Sequence, residues 1–151
     1  MSDGVTIRPF APPDQDAARR LILAGLADHF GAVDESMNPD LDDIDRHYLR
    51  PGHRFVLAEH NDILLGTGAL VEASPDTGRL VRISVALPHR GQGIGRALVH
   101  HLIAEACSRG YHRLVVETNH DWSAAIALYH SCGFTEYDRH SGDVYMILDL
   151  H

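Results

Sequence analysis

The most restrictive feature of the chain is a corner. Between an apolar run and an amphipathic run stands Pro88-His89-Arg90-Gly91-Gln92-Gly93-Ile94-Gly95-Arg96, with glycine at three alternate positions. Arg79 to Leu87 reads as a strand. After the corner, Ile94, Leu98, Leu102, Ile103 and Ala106 recur at helical spacing over Gly93 to Arg109, with Gly110 as the C-cap. The first turn of such a helix leaves its N–H groups unpaired and carries about half a positive charge. Missing side chains let an anion reach that backbone, and Arg90 and Arg96 add formal charge beside it. The dinucleotide pattern G-x-G-x-x-G fails because Arg96 stands three places after Gly93, and a P-loop fails because the segment has no lysine. The pattern [QR]-x-x-G-x-[GA] is met by Arg90, Gly93 and Gly95.

The elements around the corner predict an α/β (α+β) fold. Val5 to Phe10 reads as a first strand, and Ala18, Leu21, Ile22 and Leu26 give a helix from Asp14 to Phe30. Asn38-Pro39-Asp40 opens a second, short helix with Leu41, Ile44 and Tyr48 on one face. Strands over Arg54 to Glu59, Ile63 to Ala73 and Arg79 to Leu87 are joined by short turns, which makes them antiparallel. The helix after the corner returns at once into a strand, Arg113 to Thr118, so these fourth and fifth strands are expected to be parallel neighbours in a right-handed crossover. A last helix, Trp122 to Cys132, takes Asp121 or Ser123 as N-cap and Gly133 as its stop. A hairpin of Phe134 to Arg139 and Val144 to Leu150 completes about seven strands in a mixed, mostly antiparallel sheet with helices on both faces.

The 151 residues suit a single domain, 1–151, with 44% hydrophobic and 23% charged residues and no repeat or linker. No apolar stretch is long enough to span a membrane. Met1-Ser2-Asp3-Gly4 lacks the basic and apolar regions of a secretory leader, which leads to the expectation of a cytoplasmic protein. A net charge of -8 disfavours nucleic acid as a partner. The 12 histidines include no zinc-type spacing, so no metal is expected, and Cys107 and Cys132 read as reduced core residues.

The corner and two flanks together resemble the GNAT superfamily of acyl-CoA N-acyltransferases. Leu80-Val81-Arg82-Ile83-Ser84-Val85 is similar to the family's central strand. Ala124-Ala125-Ile126-Ala127-Leu128-Tyr129, followed by Cys132-Gly133-Phe134, is similar to its closing helix. The resemblance implies that the fourth and fifth strands splay, and that acetyl-CoA is the cosubstrate. Its pantetheine would bond to backbone at Ile83 and Val85, and its pyrophosphate would sit on Arg90, Gly91, Gln92, Gly93, Ile94, Gly95 and Arg96. It further implies direct attack by a primary amine of a small molecule or peptide in a ternary complex. Tyr129 would be the general acid toward the departing thiolate, and the Val85 N–H the oxyanion donor.

The general base is where the sequence departs from many relatives. Leu80, Arg82, Ser84 and Ala86 are expected on one strand face and include no carboxylate. Glu117 on the neighbouring strand is the candidate, with Glu72 or a water chain as alternatives; Arg82 either binds an acidic part of the acceptor or is solvated. Asn119 is carried over as a CoA contact, although the place where many relatives have their Asn holds Trp122. Asp28, Asp34, Glu35, Asp40, Asp42, Asp43 and Asp45 either attract a cationic amine or complement helix dipoles. A homodimer is compatible with all of this. The rival readings are a noncatalytic acyl-CoA-binding sensor or partner module, and a toxin acetylating charged transfer RNA, which the acidic balance opposes.

Overall fold

A computed structural model describes residues 4–150 of the chain. Seven strands, β1 (Thr6–Pro9), β2 (Arg54–His60), β3 (Ile63–Ser74), β4 (Thr77–Val85), β5 (Arg113–Asn119), β6 (Thr135–His140) and β7 (Asp143–Asp149), form one sheet in the order β1-β2-β3-β4-β5-β7-β6. Every neighbouring pair is antiparallel except β4 and β5, which are parallel. Three α-helices, α1 (Gln15–Phe30), α2 (Ile94–Ser108) and α3 (Ser123–Ser131), flank the sheet. The seven-stranded mixed sheet is therefore the one expected from the order of elements.

Two cores lie on opposite faces. On one, Ile94, Leu98, Val99, Leu102 and Ala106 of α2 and Tyr129 of α3 pack with Leu80, Leu114, Val116 and Met146. On the other, Ala18, Ile22 and Leu23 of α1 join Leu41, Ile44 and Tyr48 over Phe55, Leu57 and Ala69. The expected short helix is in fact two separate turns, a 3-10 turn at Pro39–Asp42 and a π turn at Asp45–Leu49. The Gln15 amide bridges the interruption, donating to the Leu41 carbonyl at 2.7 Å and accepting the Ile44 N–H at 2.9 Å. The three predicted apolar residues are buried all the same. Cys107 does not belong to the core: it follows Ala106 by one residue, about 100° around the helix from the apolar stripe, and is exposed. Cys132 is half-buried, and both are free thiols. The N-cap of α3 is Trp122 rather than Asp121 or Ser123.

Pairing between β4 and β5 covers only Thr77–Leu80 against Arg113–Val116. Past that point β4 stays with β3 and β5 stays with β7, so the two strands part. A bulge begins where the pairing stops. Thr67 faces Ser84 and Ala69 faces Val81, leaving Arg82 and Ile83 opposite Gly68, with Arg82 at φ 55°. A Cβ on Gly68 would come within 2.8 Å of Ile83 and 3.0 Å of Leu102, so the bulge and α2 need glycine there.

The extra residue breaks the alternation assumed for this strand. Leu80 lies in the α2-side core, whereas Arg82 reaches toward Asp40 under the α1 layer, so the two do not share a face. Arg82 binds Asp40 through two nitrogens at 2.7 and 3.0 Å and Asn38 at 3.1 Å, and the Tyr48 hydroxyl donates to Asp40 at 2.6 Å. It is thus neither solvated nor available to an acidic acceptor. Burial opposes ionisation of Asp40, but the hydrogen bonds from Arg82 and Tyr48 and the guanidinium charge outweigh it and hold the carboxyl below its usual range.

Replacing Arg82 with Met would leave Asp40 charged and poorly solvated. A loss of about 2–3 kcal/mol of unfolding free energy is expected at neutral pH, measured by urea denaturation. Because the folded Asp40 titrates below its unfolded value of about 3.9, the stability it brings is complete above that value and is lost as pH falls through the lower folded one. The gap between wild type and variant should narrow over that acid window.

Candidate active site

Where β4 and β5 part, a cleft of about 660 Å³ opens. Ile83 and Val85 of β4, the corner from Arg90 to Arg96 except Gln92, Glu117 of β5 and Tyr129 of α3 all line it. The Arg82 carbonyl accepts from the Thr67 hydroxyl at 2.8 Å, and the Ser84 carbonyl faces Gly66, both on the β3 side. In a trans peptide the N–H points opposite to the carbonyl, so the N–H groups of Ile83 and Val85 turn into the gap.

At the corner, Gly91 and Gly93 sit at φ 78° and 84°, conformations that favour glycine, and nothing lies within 4 Å of a Cβ placed on Gly93. Gly95 differs: a Cβ there would meet Leu128 of α3 at 3.2 Å, so this glycine serves helix packing. Among the described residues, the backbone N–H groups of Gly91, Gln92, Gly93, Ile94, Gly95 and Arg96 donate to no protein acceptor; the first amide of the helix ladder is that of Ala97, to the Gly93 carbonyl at 3.0 Å. Such a run of free donors at a helix N-terminus has the geometry and charge to hold an anion. The arginine side chains have local partners. Arg90 binds Asp28 of α1 at 3.0 Å and the Val85 carbonyl at 3.1 Å, while Arg96 donates to the Ser131 carbonyl at 3.1 Å.

Tyr129 is 5% exposed, edge-on to Phe134, and its hydroxyl has no hydrogen-bond partner among the described residues. Burial, with a smaller contribution from Cys132, pushes its ionisation well above that of a free phenol, so it holds its proton at neutral pH. Glu117 stands opposite Tyr145 of β7, on the sheet face away from α2 and α3. Although it is exposed, the desolvation it does undergo raises its proton affinity, and the Asp143 carboxyl beside it raises it further.

The remaining candidates lie elsewhere. Glu72 pairs with Gly78 and accepts from Tyr111 at 3.5 Å, off the cleft. Asn119 does not line the cleft either; its side-chain oxygen accepts the Asp121 N–H at 3.0 Å and shapes the turn into α3. Several acids proposed to steer a cation are neutralised locally, Asp40 by Arg82, Asp42 by Arg19, Asp45 by Arg50 and Asp28 by Arg90. Sequence reasoning missed that Trp122 stacks on His29 of α1, with ring centroids 4.2 Å apart and planes 8° apart, which ties α1 to the lip of the cleft. It also missed Asp143, whose proximity to Glu117 follows only from the pairing of β5 with β7. Among the described residues no group of three or more His, Cys, Asp or Glu is placed to hold a metal ion. No helix there is long and apolar enough to cross a membrane.

Residues 20–134 match the model of the Acetyltransferase (GNAT) family. N-acetyltransferase 8 of Rattus norvegicus is 39% identical over 108 residues, which is 68% of this chain and 49% of that protein; the chain spans about half the length of the curated relatives it matches first. Among solved structures, a GNAT-family acetyltransferase of Staphylococcus aureus Mu50 superposes with a TM-score of 0.89 at 22% identity, over 97% of this chain and 99% of that one. A GNAT-family acetyltransferase of Elizabethkingia anophelis with acetyl-CoA bound gives 0.72 at 22% identity, over 98% and 99%. With the family model covering most of the chain, and the parted parallel strands and glycine corner in place, the chain belongs to the acetyltransferase (GNAT) family.

Proposed function

We propose that the protein moves an acetyl group from acetyl-CoA to a primary amine, of a small molecule or peptide, by direct attack in a ternary complex. The observation that carries this reading is the row of unpaired amides from Gly91 to Arg96 opening onto the same cleft as a buried, unpartnered phenol. The amides suit a pyrophosphate, and the turned-in N–H groups of Ile83 and Val85 suit the amide-rich pantetheine arm. Acetyl-CoA supplies the activated acyl carbon. Residues 1–151 are read as one catalytic unit.

The acceptor reaches the cleft as an ammonium ion and is inert until it loses a proton. Glu117, whose proton affinity is raised, takes that proton. The amine nitrogen then attacks the thioester carbon, and the C–N bond forms as negative charge gathers on the carbonyl oxygen, toward which the Val85 N–H donates. When the C–S bond breaks, the Tyr129 hydroxyl gives its proton to the sulfur, and the phenolate regains one from the new amide nitrogen. A phenol that stays protonated across the neutral range is the correct form for this step.

Tyr129→Phe is expected to lower turnover by about 10²-fold or more with CoA affinity within about twofold, followed by thiol release over a panel of spermidine, an alanyl peptide and a lysyl peptide. Unchanged turnover would remove the phenol from the reaction. If no amine provokes thiol release from a protein that binds CoA, the chain is an acyl-CoA-binding module.

Gly93→Val places a branched side chain in open space at a positive φ. Strain of about 1–2 kcal/mol lowers Tm by only a few degrees, while calorimetry should read a loss of CoA affinity of about tenfold or more. Equal affinity in the variant would show that the phosphates lie elsewhere.

A further inference from the structure

Glu117 is not an isolated carboxylate. Strand pairing sets Glu117 opposite Tyr145 and Asn119 opposite Asp143, so Asp143 is the diagonal neighbour of Glu117 on the same sheet face. The diagonal register brings the two carboxyls within reach of one another, so a proton taken up by Glu117 can be shared with Asp143. His140 of β6 faces Asp143 across the hairpin and stacks its ring on Tyr145, with centroids 4.5 Å apart. Arg79 of β4 acts on Glu117 from the other flank, and α1 lines the cleft with Ile22 and Leu26, neither of which titrates. Two carboxylates would mean little alone. Here one of them lines the cleft that buried Tyr129, whose hydroxyl has no hydrogen-bond partner among the described residues, also lines.

Resting on Glu117 as the base, we propose that Asp143 is its positioning residue: the Asp143 carboxylate accepts the O–H of Glu117 after Glu117 has taken the ammonium proton, and holds that carboxyl at the gap between β4 and β5. The step is balanced. R–NH3⁺ and the Glu117 carboxylate become R–NH2 and the Glu117 carboxylic acid, whose O–H then points at the Asp143 carboxylate. Before the transfer, the two ionised carboxylates attract the ammonium. After it, the shared proton leaves one negative charge, offset by Arg79. Desolvation, and then the Asp143 carboxyl beside it, raise the proton affinity of Glu117, while Arg79 and His140 oppose them. An acceptor that arrives already neutral would gain nothing from this arrangement, which points to aliphatic amines that are cationic at neutral pH rather than to aromatic or acylated ones.

Carboxyl-carbon NMR on the whole protein without ligands, labelled at Glu and Asp, tests the pair directly. In the wild type, the Glu117 midpoint should lie above that of an ordinary glutamate. In Asp143→Asn the Glu117 midpoint should fall toward that of an ordinary glutamate. A Glu117 midpoint in the ordinary glutamate range in the wild type, or one that does not move in a folded Asp143→Asn, would overturn the proposal; the wild-type measurement stands even if the variant does not fold. Kinetics separate this from the underlying reading. If Glu117→Gln releases thiol as fast as wild type in the amine panel, the base assignment fails, and the role given to Asp143 fails with it. If Glu117→Gln is inactive, Asp143→Asn should keep activity, about 3- to 10-fold lower at neutral pH, with the acid limb of kcat/KM moved down. An acid limb that stays in place overturns the positioning role alone.

Discussion

The parting of β4 from β5 is the constraint on which the rest of the structure depends. Parallel strands that paired along their full length would bury their peptide groups in a ladder and leave no opening. Here the ladder stops after Leu80 and Val116, and the next residue but one, Arg82, takes a left-handed conformation that inserts an extra residue against β3. That conformation is costly for an arginine and persists because the side chain is held by Asp40 and Asn38, and the carbonyl by Thr67. Gly68 provides the space opposite the bulge. A structural ion pair under the α1 layer thus keeps β4 in the shape that turns the amides of Ile83 and Val85 toward the gap.

The two banks of the gap carry different chemistry. The β4 bank and its glycine corner offer backbone donors, fixed in direction and insensitive to pH. On the β5 bank the groups are side chains, with Glu117 and Asp143 on one sheet face and Tyr129 reaching in from α3 on the other. A thioester carrier held by main chain, and an amine handled by titrating groups, match this division. The end of α1 ties the banks together, through Asp28 to Arg90 on one side and through His29 to Trp122 on the other.

The glycine corner was legible because its meaning is local: a strand, missing side chains and a helix start are written in consecutive residues, and the order of elements around Arg90 to Arg96 then fixes the parallel pair. The place of Tyr129 on the helix that lines the cleft was legible from Cys132-Gly133-Phe134 after it. The bulge was not, since nothing in Leu80-Val81-Arg82-Ile83 signals a positive φ, and a strict two-residue alternation put Arg82 on one face with Leu80, from which the bulge separates it. The acids around α1 looked free for a related reason: Asp28, Asp40 and Asp42 have arginine partners far away in the chain, in Arg90, Arg82 and Arg19. Asp143 sits beside Glu117 only through strand register across 26 positions of sequence, a relation that neither spacing nor composition expresses.

Backbone ¹⁵N–¹H spectra recorded during titration with CoA examine the central claim at the atoms concerned. The account predicts that the amides of Gly91 to Arg96 shift most, as their unpaired N–H groups meet the phosphates, with Ile83 and Val85 moving together with them. Shifts confined to other surfaces, with the corner and β4 unmoved at saturating CoA, would contradict it.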